Sequence, residues 1–160
     1  MIKEFEPVVS ELASLLQEWE QKLRNLPPDV ISVRRNIQNR TIRQITGHLV
    51  DSASNNIHRI VHFQYQPSPM NFPNYASNGN NDRWIAIQNY QEEDWDLLIS
   101  HWKFSNLHLI HLIRNIDPSK LDNKWHYSDE RQISLKEGVV DYLKHFKLHL
   151  GEIGELLNQK

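Results

Sequence analysis

The stretch that decides the fold is SLKEGVVDYLKHFKLHLGEIGELL, residues 134–157. It opens on Ser134-x-x-Glu137, a capping box in which each side chain satisfies a backbone N–H that the first helical turn leaves free. Leu135, Val139, Tyr142, Phe146, His149, Ile153 and Leu156 then recur by threes and fours, the spacing of one buried helical stripe. Such a seam needs other helices to bury it, so the stretch predicts the last helix of a bundle.

Working outward, three more segments carry the same period. Thr41-x-x-Gln44 is a second capping box, and Ile42, Ile45, Leu49, Ala53 and Ile60 form one face of a helix reaching Tyr65. A third helix covers roughly 92–116, with Trp95, Leu98, Trp102, Ser105, Leu109, Leu112 and Ile116 as its seam. A first helix runs from about Pro7 to Leu26 on Val8, Leu12, Leu15, Leu16, Trp19 and Leu23, with Pro7 suited to the first turn. LPPD (26–29) ends it, and VISVRRNIQNR reads as an extended connection. QPSPMNFPNYASNGNND (66–82) is a long loop before helix three, DRWIAIQ a short helix within that connection, and LDNKWHYSDERQI a polar link holding a small hairpin or turn. The expected fold is an all-α four-helix bundle, one domain over residues 1–160, with a long connection between helices two and three.

Composition narrows the chemistry. Eighteen Lys plus Arg stand against 20 Asp plus Glu, a net charge of −2, so no global basic field recommends a nucleic-acid partner. There is no cysteine, which removes thiolate ligands and cysteine nucleophiles, leaving imidazole and carboxylate to hold any metal. MIKEFEPVVSELASLL lacks a signal-peptide pattern, and no apolar run approaches the ~18 residues of a membrane span, so a cytoplasmic protein without a membrane partner is expected.

Nine histidines need an account. His149 lies in the seam of the last helix, and His145, four residues earlier, is only ~40° away at the stripe's edge. Neutral imidazoles on a buried face must find hydrogen-bond partners or a metal, since an unpaired buried polar group costs ~1–3 kcal/mol. Residues at i and i+4 can each point a nitrogen at one ion, but two ligands are too few. His48 is the candidate third, on the border of the second helix's apolar stripe. From it runs a polar line, Ser52, Asn55 and Arg59, all within ~40° of His48.

Against this stands helical coincidence, because a bare His-x-x-x-His is a weak signal. His62 extends the polar line but lies about four turns from His48, too far to share an ion; His108 and His111 lie off the third seam and read as solvated, His101 flanks it, and His58 and His126 carry no pattern. Asp141, one turn before His145, is a candidate outer partner for it, or a solvated acid. Glu152, after His149, is a candidate general base, or a surface acid. Arg59 and Asn55 are candidates to hold an anionic or amide substrate, with hydrogen bonding inside the bundle as the alternative. Tyr142 reads as core, and Trp84 as either closing over a ligand or packing on the helices.

TIRQITGHLVDSASNN followed by SLKEGVVDYLKHFKLHLGEI resembles the DinB-like family, the DinB/YfiT-like metalloenzymes. That family carries one histidine in its second helix and two, four apart, in its fourth. The resemblance therefore implies a divalent metal on His48, His145 and His149, at an open end of the bundle, and a homodimer. Relatives include bacillithiol transferases and mycothiol-dependent maleylpyruvate isomerases, and other members are described as metal-dependent hydrolases. The long Asn/Pro-rich loop departs from a compact member, so no relative's substrate is carried over.

Three imidazoles leave a coordination position open, and zinc or nickel would suit them. Such an ion activates water or a small-molecule thiol, so hydrolysis and S-transfer stand together. The rival is a non-catalytic bundle whose histidines hold a structural metal, or none, while its surface serves a partner.

Overall fold

Long amphipathic helices dominate the chain, and the computed structural model, which describes residues 2–159, contains the four expected. They are α1 (Glu6–Arg24), α3 (Ile42–Tyr65), α5 (Trp95–Arg114) and α6 (Leu135–Leu157). Two short helices, α2 (Pro28–Val33) and α4 (Asn80–Gln88), and an antiparallel hairpin of β1 (Lys124–Ser128) and β2 (Arg131–Ser134) occupy the connections. Both capping boxes form reciprocally, at Thr41 with Gln44 and at Ser134 with Glu137.

The long helices pack in the cyclic order α1–α5–α3–α6, so α1 and α3, successive long helices of the chain, stand diagonally opposite. All seven expected seam residues of α6 and all five of α3 are buried. Trp102 of α5 stacks on Phe146 of α6 across the core, with ring centroids 5.9 Å apart. The Tyr142 hydroxyl donates to Asn106 Oδ1, which satisfies a phenol buried between the helices.

Two expectations are corrected. Residues 28–33 form a helix rather than an extended connection. Proline breaks a helix interior, but Pro28 sits at the first turn, where its missing N–H is not needed and its fixed φ is already helical. In α5 the buried stripe runs through Leu98, Trp102, Asn106, Leu109 and Ile113, with Ile116 buried just past its end, so Ser105 and Leu112 lie at its edge. A strict heptad repeat drifts from the 3.6-residue turn of a straight helix, which moves the contact line by one residue.

The connection between α3 and α5 is built on α3. Gly79, at φ +71, makes the left-handed turn that starts α4. Met70 bridges to the hairpin, its N–H donating to Lys124 O at 2.8 Å and its C=O accepting from His126 N at 3.1 Å. The side chain of Gln88 in α4 reaches Asp51 of α3 at 2.5 Å.

Candidate metal centre

Because α3 and α6 are neighbours, the border of one stripe meets the seam of the other. His48, from the second turn of α3, faces His145 and His149 of α6. The three Nε2 atoms converge, His48 to His145 at 3.2 Å, His48 to His149 at 3.0 Å and His145 to His149 at 3.0 Å. Among the described residues this is the only cluster of three or more His or acidic ligand atoms of this tightness. His48 and His149 are buried, and His145 is partly so.

The rings are held from behind. His48 Nδ1 lies 2.7 Å from the Tyr75 hydroxyl, which in turn donates to Asp51 Oδ2 at 3.3 Å. Tyr90 donates to the other Asp51 oxygen at 2.5 Å, alongside Gln88. His149 Nδ1 lies 2.9 Å from Glu152 Oε2, and Asn36 Nδ2 donates to that same oxygen at 3.1 Å. His145 Nδ1 lies 3.3 Å from Ser52 Oγ.

These partners assign the protons. A carboxylate only accepts, so Glu152 requires N–H at His149 Nδ1 and leaves its Nε2 a bare lone pair. The Tyr75 proton goes to Asp51, so its oxygen accepts from His48 Nδ1–H and leaves the His48 Nε2 bare as well. Two lone pairs 3.0 Å apart in a buried site repel unless a cation lies between them. Three nitrogens ~2.0–2.1 Å from a common zinc-sized ion stand ~2.9 Å apart at right angles and ~3.4 Å apart at tetrahedral angles. The observed separations fall between these limits, so the residues fit a divalent ion.

Electrostatics agree. Burial pushes the His48 imidazole down to about 2 and His145 to about 3, and the close approach of the other rings disfavours a proton on either. Both are neutral at physiological pH, the form that binds metal. Burial raises the Asp51 carboxyl against the hydrogen bonds of Tyr90, Gln88 and Tyr75, and raises the Tyr75 phenol, which keeps its proton.

One side of the centre opens into a cavity of about 250 Å³. Its α3 wall is His48, Ser52, Asn55, Asn56 and Arg59, so the polar line read from sequence lines it throughout. Gly138, Asp141, Tyr142 and His145 of α6 face that wall, and Trp125 and Tyr127 of β1 close one side.

The two acids contact groups other than those expected. Asp141 is not the outer partner of His145: its carboxylate accepts from Lys144 Nζ at 3.1 Å while lining the cavity, and Ser52 takes the His145 contact. Glu152 stands behind His149, on the ring nitrogen turned away from the cluster. A spacing of three or four residues puts either acid near a histidine, but side-chain direction along the helix decides which contact forms. Trp84 packs edge-on against Tyr75, with centroids 5.2 Å apart. Sequence reasoning missed Tyr75, Asp51 and Asn36. Asp51 lies on the side of α3 opposite the Ile42, Leu49 and Ala53 stripe, so helix phase gave no signal for it.

The DinB superfamily model matches residues 11–153. The chain belongs to the DinB superfamily. Among solved structures, this DinB-superfamily chain is similar to YfiT from Bacillus subtilis, described as a probable metal-dependent hydrolase with an unusual four-helix bundle topology. The TM-score is 0.80 at 16% identity, covering 98% of this chain and 87% of that one, which establishes the shared fold. No curated protein matches the sequence. No helix among the described residues is long and apolar enough to cross a membrane.

Proposed function

We propose that the protein is a metal-dependent enzyme acting on a small molecule by hydrolysis or S-transfer, with His48, His145 and His149 as its metal ligands. The observation that carries this reading is the convergence of three Nε2 atoms beside an open cavity, with two of the lone pairs left bare by their own hydrogen-bond partners. A purely structural site would be closed by a fourth protein ligand, and the described residues supply three. When bound, a divalent ion supplies Lewis acidity that makes a water, or a small-molecule thiol, nucleophilic near neutral pH.

The chain's own residues divide the remaining work. Glu152 and the Tyr75–Asp51 pair fix the tautomer and direction of His149 and His48. Asp141 is the acid on the cavity wall and is assigned the proton taken from the nucleophile. Glu152, facing away from the cavity, is assigned positioning rather than proton transfer. Ser52, Asn55 and Arg59 line the space for the substrate. The reading extends to zinc or nickel as the ion, which imidazole ligands suit, to residues 1–160 acting as one domain, and, from the family resemblance, to a homodimer, which light scattering tests.

Elemental analysis of the purified protein, beside His149→Ala, tests the core of this reading. Wild type should carry about one divalent ion per chain and the variant far less. Equal, substoichiometric metal in both would remove the basis for an enzyme. An ion whose chelation collapses the fold, with no turnover of esters, amides or thiol acceptors, would favour the structural alternative.

A further inference from the structure

Arg59 stands three turns beyond His48 on the same face of α3, about 16 Å along the axis and ~20° around it. Its guanidinium is fixed by two contacts. Nη2 donates to Asn56 Oδ1 at 2.6 Å, and the group lies over the Trp125 ring, 4.4 Å from the centroid. Trp125 is itself locked, its indole N–H donating to Phe72 O at 2.8 Å and its ring meeting Tyr127 edge-on at 5.3 Å.

The cation lacks an anion. Among the described residues Arg59 takes part in none of the ion pairs, and Asp141 across the cavity is engaged by Lys144. Burial lowers its pKa to about 10, so it stays charged at neutral pH without a carboxylate to offset its desolvation. A guanidinium has five N–H donors, and Asn56 accepts from one of them, which leaves donors free for a planar, two-oxygen acceptor. Arg59 is partly buried, and a charge so withdrawn from water is normally paired; here the space for the partner is the cavity itself.

We propose that this cavity selects a small organic carboxylate, its carboxyl group held by Arg59 and its body lying along Trp125 toward His48 and His145. The size of the space, below the ~300–1,000 Å³ of drug-sized pockets, excludes polymers. Charge favours a carboxylate over a phosphate. No lysine lines the cavity, and Asp141 already contributes an acid, so a dianion at that end would bury excess negative charge. Gly138 leaves the opposite wall open, since a Cβ added there meets nothing within 4 Å. The inference rests on the metal reading only for which bond reacts. The carboxylate subsite stands on Arg59 alone.

Benzoate and its uncharged counterpart benzamide provide the probe, measured by calorimetry and tryptophan fluorescence on the full chain. Chelated and metal-loaded samples are compared, so that binding at Arg59 is separated from binding at an ion. In the chelated wild type, benzoate should bind at least tenfold more tightly than benzamide. Arg59→Met should cut that preference to threefold or less, with Arg59→Lys between them. Gly138→Leu, which touches neither Arg59 nor the histidines, should abolish binding of both compounds while the melting temperature stays near that of wild type. No benzoate binding at millimolar concentration, equal binding of the two compounds, or an unchanged preference in Arg59→Met would overturn the proposal. So would benzoate binding that survives Gly138→Leu, or inorganic phosphate binding more tightly than benzoate. Carboxylate binding without metal uptake would leave this subsite standing and sink the metal reading instead.

Discussion

The chain carries two histidine pairs at helical spacing, and they have different fates. His145 and His149 on α6 face the bundle interior, their ring centroids 4.4 Å apart and nearly perpendicular. His108 and His111 on α5 are exposed, their rings roughly parallel at 6.2 Å. Both pairs satisfy the spacing for two ligands on one helix. Only the first meets a third imidazole, from α3, and only the first has its outer nitrogens engaged by Glu152 and Ser52. Spacing supplies two donors, whereas desolvation, a third ligand from a neighbouring helix and backing hydrogen bonds make a site of them.

The comparison can be broken most severely at His48. His48→Ala reduces the interior pair to the condition of the exterior one, and metal affinity should fall by more than the ~10–100-fold that loss of an outer partner costs. Competition with a chromogenic chelator measures it, and an undiminished affinity would mean that α6 alone binds the ion. Removing only the backing should do less. Glu152→Ala leaves His149 Nδ1 and Asn36 without their shared acceptor, and a loss of ~10–100-fold in metal affinity is expected, with the fold retained by circular dichroism.

The frame behind His48 can be strained without touching a ligand. A Cβ on Gly47 would lie 2.1 Å from the Tyr90 ring, and Tyr90 is one of the donors that hold Asp51. Gly47→Ala should destabilise by ~1–3 kcal/mol, seen as a melting temperature several degrees lower. The smallest effect sharpens the contrast. His108→Ala with His111→Ala should leave metal content unchanged and stability within ~0.5 kcal/mol, as befits exposed side chains. A measurable loss of bound metal there would contradict the distinction between the two pairs.

Much of the site was legible because it follows local periodicity. The capping boxes at Thr41 and Ser134 and the stripes of α3 and α6 are written in residues three and four apart, so helix phase put His149 in a seam and His48 beside Ser52, Asn55 and Arg59. The α5 seam was legible only approximately, since Asn106 rather than Ser105 is buried where the helix drifts out of heptad register. The helix at Pro28–Val33 was hidden because proline stops one helix and starts another with the same geometry.

The sequence by itself determined the four long helices, the capping boxes of two of them, and which side chains share a face, because each depends on neighbours within a turn or two. Tertiary structure alone decided that Tyr75 and Asp51 orient His48, that Asn36 steadies Glu152, and that Trp125 lies under Arg59. These contacts join residues 24 to 116 positions apart, or a strand to a helix, along loops with no repeating pattern to read. The path of such loops is set by which buried polar groups find partners once the helices have packed, and that selection exists only in three dimensions.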